Sequence, residues 1–423
     1  MTGLPGLDGG KLRDRTPLRQ GPLAEALAAL NGDGEETRLV GGAVRDLLLG
    51  TRTEDFDLAT TAAPEEVVRR ARSAGFKVAL TGVRHGTVTL IVQGRPIETT
   101  TLRTDVETYG RRARVAFGRD FLSDALRRDF TINALSVGAD GKVYDPVGGL
   151  EDLARRRVRF IGDPESRIKE DYLRILRFFR FSARFGGAVD SEGMAAAIRC
   201  RAGLESLSRE RMRAELLKLI LEPFAGEIAR AMGHSGLLQL VVGGMVYPAR
   251  FQRLIAIERA RGEAKDAILR LSALAVLVKE DAGRVSDRLR LSNAERGRIE
   301  AAAASLEGLH GIVVPPAQKG LLGLLFSAKR QAARDALALA QADSAVAPED
   351  PAFSAADAFL AKAEEPKPPV TGADVVARGV AAGPEVGKIL RRFQELWSAA
   401  GFPRESETFI PLLAEAIAER GGA

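Results

Sequence analysis

Two carboxylates and a pair of glycines carry the first chemistry legible in this chain. Asp55 and Asp57 alternate with Phe56 and Leu58, the period-two pattern of a half-buried strand. Carboxylates at i and i+2 project from one strand face, close enough to share a divalent cation or hold two. Upstream, Leu39-Val40 read as the end of a buried strand, Gly41-Gly42 as a tight turn, and Ala43 to Leu49 as a helix that Gly50 stops. Such a junction aims free amide N–H groups and a positive dipole end at one point, which suits phosphate. Arg45, one turn in, adds a fixed cation. Taken singly, Gly-Gly turns and Asp-x-Asp strands are common and structural. In this order and this close together, they outline a nucleotidyl transfer site.

A second constellation lies at 155–184, which carries ten Lys or Arg residues. A helix expected from Ser166 repeats Asp171, Arg174, Arg177 and Arg180 at three-residue spacing, one slowly rotating stripe, with Leu173, Ile175, Leu176 and Phe179 toward a core. Alone, a basic stripe reads as a solvated face or an RNA-backbone contact. Base chemistry sharpens it. Cytosine and adenine both present an amino donor beside a ring-nitrogen acceptor, whereas guanine and uracil present a carbonyl beside an N–H donor. A carboxylate that only accepts, next to a guanidinium that only donates, fits C and A and mismatches G and U. Asp171 and Arg174, one helical turn apart, supply that pair.

The elements that must position these groups follow from pattern. A helix over 22–31, a helix opened by Pro64 and ended by Gly75, and strands at 77–81, 86–92 and 96–102 give a β-α-β start followed by antiparallel strands. Residues 1–20 are rich in Gly, Pro and Arg and read as poorly ordered. Residues 104–120 read as a mobile basic loop with Tyr109, Arg111, Arg112 and Arg114. Arg127-Arg128-Asp129 read as the start of a helix reaching Leu135, and Asp145-Pro-Val-Gly-Gly-Leu as a closing turn. Helical patterns fill 221–345, and two proline clusters flank a short Ala-rich helix within 346–371. The chain has 423 residues, 45% hydrophobic and 28% charged, enough for more than one domain. No apolar run approaches the ~18 residues of a membrane span. A lone Cys200 excludes an intrachain disulfide, and His85, His234 and His310 form no metal motif. A cytoplasmic address is the expectation. The net charge of +6 favours a polyanionic partner.

The stretch 39–60 resembles the template-independent nucleotidyltransferases that build the tRNA 3′ CCA end, and their bacterial poly(A) polymerase relatives, in class II of the polymerase β superfamily. The resemblance continues through Gly86-Thr87-Val88, Ile97-Glu98-Thr99-Thr100, Arg127-Arg128-Asp129-Phe130 and Glu170-Asp171-x-x-Arg174, dense over 36–220 and thinner beyond. It implies an α+β chain: a small mixed-sheet nucleotidyltransferase head (22–150) after a disordered segment (1–21), then an all-helical neck (151–222), body (223–345) and tRNA-binding tail (346–423). It makes Glu98 the third catalytic carboxylate beside Asp55 and Asp57, which would hold Mg²⁺; the alternative is a strand Glu paired with Arg95 or Arg103. It puts Gly42, Arg45, Arg128, Asp129, Asp171, Arg174, Arg177 and Arg180 on the nucleotide, with Asp129 near the sugar, where it could accept from a 2′-OH. Glu210, Arg211 and Glu215 would brace the neck.

The implied activity is addition of C, C and A to tRNA from CTP and ATP, with the tRNA 3′ end, acceptor and T arms as partner and no membrane. In this family the 104–120 loop goes with addition of the final A. Lys388, Arg391 and Arg392 suit tRNA phosphates or a solvated helix face. Poly(A) polymerase is the alternative, and a silent RNA-binding protein a more distant one. The loop, the Gly-Thr-Val strand and the lack of a long basic C-terminal tail favour CCA addition.

Overall fold

In the computed structural model, residues 4–83, 86–109, 112–186 and 188–419 are described, 81 and 104–116 as backbone only. They form two compact units, Met1–Ile228 and Ala229–Ala423. The boundary falls inside the helix Ala225–His234, a little beyond the expected end of the neck. No second boundary divides body from tail.

The first unit opens with β1 (Leu7–Asp8), β2 (Lys11–Leu12), α1 (Thr16–Arg19) and α2 (Pro22–Leu30). Then come β3 (Thr37–Val40), α3 (Gly42–Leu48), β4 (Asp57–Thr60), α4 (Pro64–Ser73), β5 (Lys77–Gly82), β6 (Thr87–Val92) and β7 (Arg95–Thr101). A two-stranded ribbon, β8 (Arg103–Tyr109) and β9 (Arg112–Phe117), precedes α5 (Phe121–Leu126), β10 (Ser136–Val137) and β11 (Val143–Tyr144). Helices α6 (Gly149–Ala154), α7 (Pro164–Glu170), α8 (Leu173–Phe185), α9 (Ser191–Arg199) and α10 (Arg209–Leu221) complete it.

The seven-stranded sheet runs β11-β10-β3-β4-β7-β6-β5, mixed as expected. Alternation in β6 buries Val88, Leu90 and Val92, and with Leu39 and Leu58 they make the face that α2 and α4 cover. On the opposite face Val40 and Ala59 pack with Leu102 against Phe121 of α5, and Asp57 and Glu98 share that face. A slip of one residue would drive its carboxylates into the core, so the apolar alternation fixes the site's register.

Within the β-α-β start, whose strand directions the sequence left open, β3 and β4 are antiparallel, and the parallel pair is β4 with β7. A seven-residue helix is short enough for the loop after it to turn the chain back beside its own strand. Several expectations need correction. Residues 4–20 are ordered. Leu4, Leu12 and Leu18 are buried, and backbone bonds join Gly6 to Leu48, Leu12 to Gly141 and Val143 to Gly10. Their Gly- and Pro-rich composition hid three anchoring leucines.

The expected loop at 104–120 is largely the β8–β9 hairpin; its Gly110 and Arg111, like His85, lie outside the described residues. Arg127-Arg128-Asp129 do not begin a helix. They follow α5, which Asp120 caps, and lead into a single 3₁₀ turn at Thr131–Asn133. The neck helix from Ser166 breaks at Asp171, whose extended backbone (φ −156°) separates α7 from α8. Its carboxylate accepts the amide of Leu173 at 3.1 Å, a local bond that competes with helix continuation. Phe130, Phe160 and Phe178 knit head to neck, with ring centroids 4.9 and 5.4 Å apart.

The second unit is helical throughout its described residues. One core gathers Leu337, Phe353 and Leu360, another Phe393, Trp397 and Leu413, with Leu322 packed against both. The long helix Gln318–Asp343 is interrupted at Lys329 (φ 64°). The buried Arg270–Glu258 pair (2.6 Å) and Arg298 between Asp335 and Asp266 tie its helices together. Arg392, one of the three expected tRNA cations, is engaged by Glu395 and Glu419.

Candidate active site

Three strands set the carboxylates. Asp57 opens β4, opposite Val40 of β3 on one side and Glu98 of β7 on the other, so Asp57 and Glu98 share the sheet face turned away from α2 and α4. Asp55 lies two residues before β4 rather than on it, a departure from the strand expected there. Gly41 has φ 77°, and a Cβ at that position would stand 3.1 Å from Oδ2 of Asp57. Only glycine lets the turn lie this close to the carboxylate.

Burial pushes the Asp57 pKa up, and the Asp55 and Glu98 charges push it further, with Arg128 offsetting part. All three carboxylates nonetheless reach solvent. The burial is that of a group ringed by protein at an open cavity, not an enclosed one. Among the described residues, no three His, Cys, Asp or Glu side chains are gathered into a ready metal cluster. The donor set still fits hard divalent cations: oxygen ligands whose mutual repulsion disfavours the charge on Asp57. Arg95 pairs with Glu54 at 2.7 Å, which leaves the alternative of a Glu98–Arg95 pair without support.

Asp57 and Glu98, but not Asp55, line a cavity of about 320 Å³ together with Thr100, Arg103, Asp124, Arg127 and Arg128. A second cavity, about 400 Å³, is lined by Gly41, Gly42, Arg45, Arg127, Arg128, Asp129, Asn133, Asp171, Arg174, Arg177 and Phe181. Every residue expected on the nucleotide is there except Arg180. Arg180 instead bonds Glu215 of α10 at 2.6 Å, which makes it part of the neck brace.

Arg45 is 5% exposed, donates to Asn133 and lies 5.0 Å from the Phe181 ring. Burial lowers its pKa to about 10, Arg184 adding to the effect, and its Nε has no partner. A buried, under-satisfied cation on a cavity wall is a site for an anion.

Asp129 differs from its expectation. Oδ1 accepts from the Phe130 amide (2.9 Å) and Asn133 (2.6 Å), and Oδ2 from both Nε (2.8 Å) and Nη2 (2.7 Å) of Arg177. Burial raises its pKa, but Arg177 and these bonds outweigh it and hold it below the usual carboxylate value. Its four lone-pair positions are taken, so a ribose hydroxyl would have to displace Arg177. Its visible role is to lock the neck helix to the head.

Asp171 and Arg174 both face the cavity but do not pair with each other. Asp171 takes Arg211 of α10 at 2.6 Å, and Arg174 takes Glu170. Both pairs are partly exposed and worth at most about 1 kcal/mol, so a base can replace these partners cheaply. Arg211, expected only to brace, thus touches Asp171 on the cavity wall. Asn133, Arg127 and Asp124 were not anticipated. Their signal was spacing: Asn133 stands four residues after Asp129, and Asp124 three and four residues before the two arginines.

Residues 37–159 match the family described as Poly A polymerase head domain, and 188–245 one described as probable RNA and SrmB-binding site of polymerase A. Over 389 residues the chain is 32% identical to the Danio rerio protein named CCA tRNA nucleotidyltransferase 1, mitochondrial, covering 90% of this chain and 87% of that one. The chain belongs to the CCA tRNA nucleotidyltransferase family. Identity to a bacterial CCA-adding enzyme, from Geobacillus sp. strain WCH70, is 41% over 221 residues, 51% of this chain and 54% of that one. The fold superposes on the crystal structure of the Bacillus stearothermophilus CCA-adding enzyme in complex with CTP at a TM-score of 0.71. That match has 27% identity and covers 96% of this chain and all of the other. CCA tRNA nucleotidyltransferases use divalent metal ions.

Proposed function

We propose that this chain adds C, C and A in turn to the 3′ end of tRNA, taking CTP and ATP and releasing pyrophosphate. The observation that carries the reading is that two cavities sharing Gly41, Arg127 and Arg128 hold, on one side, the carboxylates Asp57 and Glu98 and, on the other, Arg45 with Asp171 and Arg174. Arg45 and the amides at Gly41-Gly42 receive the triphosphate, with Arg127 and Arg128 beside it. Asp171 exchanges Arg211 for the amino group of C or A, and Arg174 donates to the ring nitrogen. Uracil or guanine would set a carbonyl against the carboxylate and leave polar groups unpaired, at a cost of about 1–3 kcal/mol each. The primer 3′-hydroxyl attacks the α-phosphate in line, and pyrophosphate leaves toward Arg45. Asp55 and Asp57, with Glu98 alongside, would hold Mg²⁺, which when bound eases ionisation of the hydroxyl and neutralises charge on the phosphates.

The match of residues 37–159 to a poly(A) polymerase head keeps that activity as a second reading, in which A addition would not stop. The carboxylate assignment is tested directly by Asp55→Ala and Asp57→Ala. Each should abolish addition while tRNA binding stays within about twofold. A variant retaining as much as roughly a tenth of normal turnover would contradict the assignment.

A further inference from the structure

The two cavities meet along Gly41, Arg127 and Arg128, which line both. On the functional reading above, a nucleotide with its base near Asp171 and its α-phosphate near Asp57 must lie across this seam. Two adjacent guanidiniums stand there, on long side chains that repel each other and have many rotamers to lose. Beneath them Asp124, 4% exposed, divides its carboxylate. Oδ1 accepts from Nε of Arg127 at 2.9 Å and also from its Nη2, while Oδ2 accepts from Nε and Nη2 of Arg128 at 3.1 and 2.9 Å. Arg128 is fixed a third time through Nη1 to the Asn133 carbonyl, 3.1 Å away. The geometry follows from spacing: Asp124 lies on the last turn of α5, and Arg127 and Arg128, three and four residues on, continue its turn just past the helix end and fall over it. Burial raises the Asp124 pKa, but Arg128 and Arg127 outweigh it and keep the carboxylate ionised.

We propose that Asp124 is a positioning residue for nucleotidyl transfer, holding Arg127 and Arg128 side by side at the seam so that the triphosphate meets two oriented cations whatever base it carries. Base independence is the distinguishing consequence. Asp124 acts on the phosphate end, whereas Asp171 and Arg174 act on the base.

The test uses the full chain and a tRNA primer, with kcat/KM measured for CTP and ATP. Asp124→Asn keeps the shape and removes the charge. It should lower both values by the same factor, about ten- to a hundredfold, with tRNA affinity and CTP-over-UTP preference held. In an Arg128→Ala background the same substitution should cost several-fold less, because one of its two partners is gone. Losses that multiply independently, or that differ between CTP and ATP, would overturn the proposal. Should Asp124→Asn fail to fold, by Tm and tRNA binding, Asp124→Glu replaces it, keeping the charge but shifting the carboxylate by one methylene. A shared loss for both nucleotides supports the proposal, and values equal to the parent's overturn it. A parent chain that adds neither C nor A would sink the functional reading instead.

Discussion

On the sheet face turned away from α2 and α4, Asp57 is ionisable where surrounding protein and two other carboxylates disfavour its charge. A folded pKa above the unfolded one means that Asp57 favours folding below its unfolded pKa and loses that contribution as pH rises through the raised value. Near pH 7 the ionised group therefore works against the fold unless a cation sits beside it. Asp57→Asn should abolish addition yet raise the Tm of metal-stripped protein, by a margin that solvent screening of the exposed carboxylate keeps small. Scanning calorimetry in chelator checks it, and an unchanged or lowered Tm would contradict the electrostatic picture. At the base-recognising end, Asp171→Ala should lower kcat/KM for CTP and ATP and narrow the gap to UTP by about ten- to a hundredfold. Kinetics with the four nucleotides on one primer decide it; an unchanged CTP-to-UTP preference would put this stretch on RNA backbone instead. Glu98 was singled out by the resemblance, while the placing of Asp57 on a strand was legible because period-two alternation survives folding intact. The commitments of Asp129 and Arg180 were not, since both depend on partners 48 and 35 residues away.

Elements were read best where burial alone decides them. The β3–Gly-Gly–α3 junction, α2, α4 and β5 to β7 follow apolar spacing, and the structure holds them near the expected limits. Basic, weakly patterned 104–120 gave no such signal, because a hairpin outside the main sheet needs no buried face. Its base is nevertheless fastened. Arg119 bonds Glu35 at 2.8 Å, and the Arg38 guanidinium lies between the Phe121 and Tyr144 rings, 3.8 and 3.6 Å from their centroids. These contacts tie down the foot of the ribbon and the start of α5, which carries Asp124. Deleting residues 105–114 should therefore leave CC addition working and suppress the terminal A. Product lengths on a gel read the outcome, and equal loss of C and A would show the hairpin to be merely structural. The break at Asp171 escaped sequence reading for a different reason. Three-residue spacing continues across it, so periodicity could not report that the carboxylate had left the helix.

Across the whole molecule, the functional groups described here fall within the first unit, Met1–Ile228, while the second is built from helices and buried ion pairs. The helical second half was legible from its Ala, Leu and Arg repeats, but its coherence as one unit was not. Leu322 packs against both of the cores that gather its helices. No described helix is long and apolar enough to cross a membrane. What the whole chain must do is count: two C residues, one A, then stop. The most direct measurement supplies full-length protein with tRNA lacking CCA, divalent metal and each nucleotide alone or CTP with ATP, and sequences the products. CTP alone should extend the tRNA by C residues only, ATP should complete the end at a single A, and UTP or GTP should add nothing. A run of A residues that does not stop, or free use of UTP, would contradict the account.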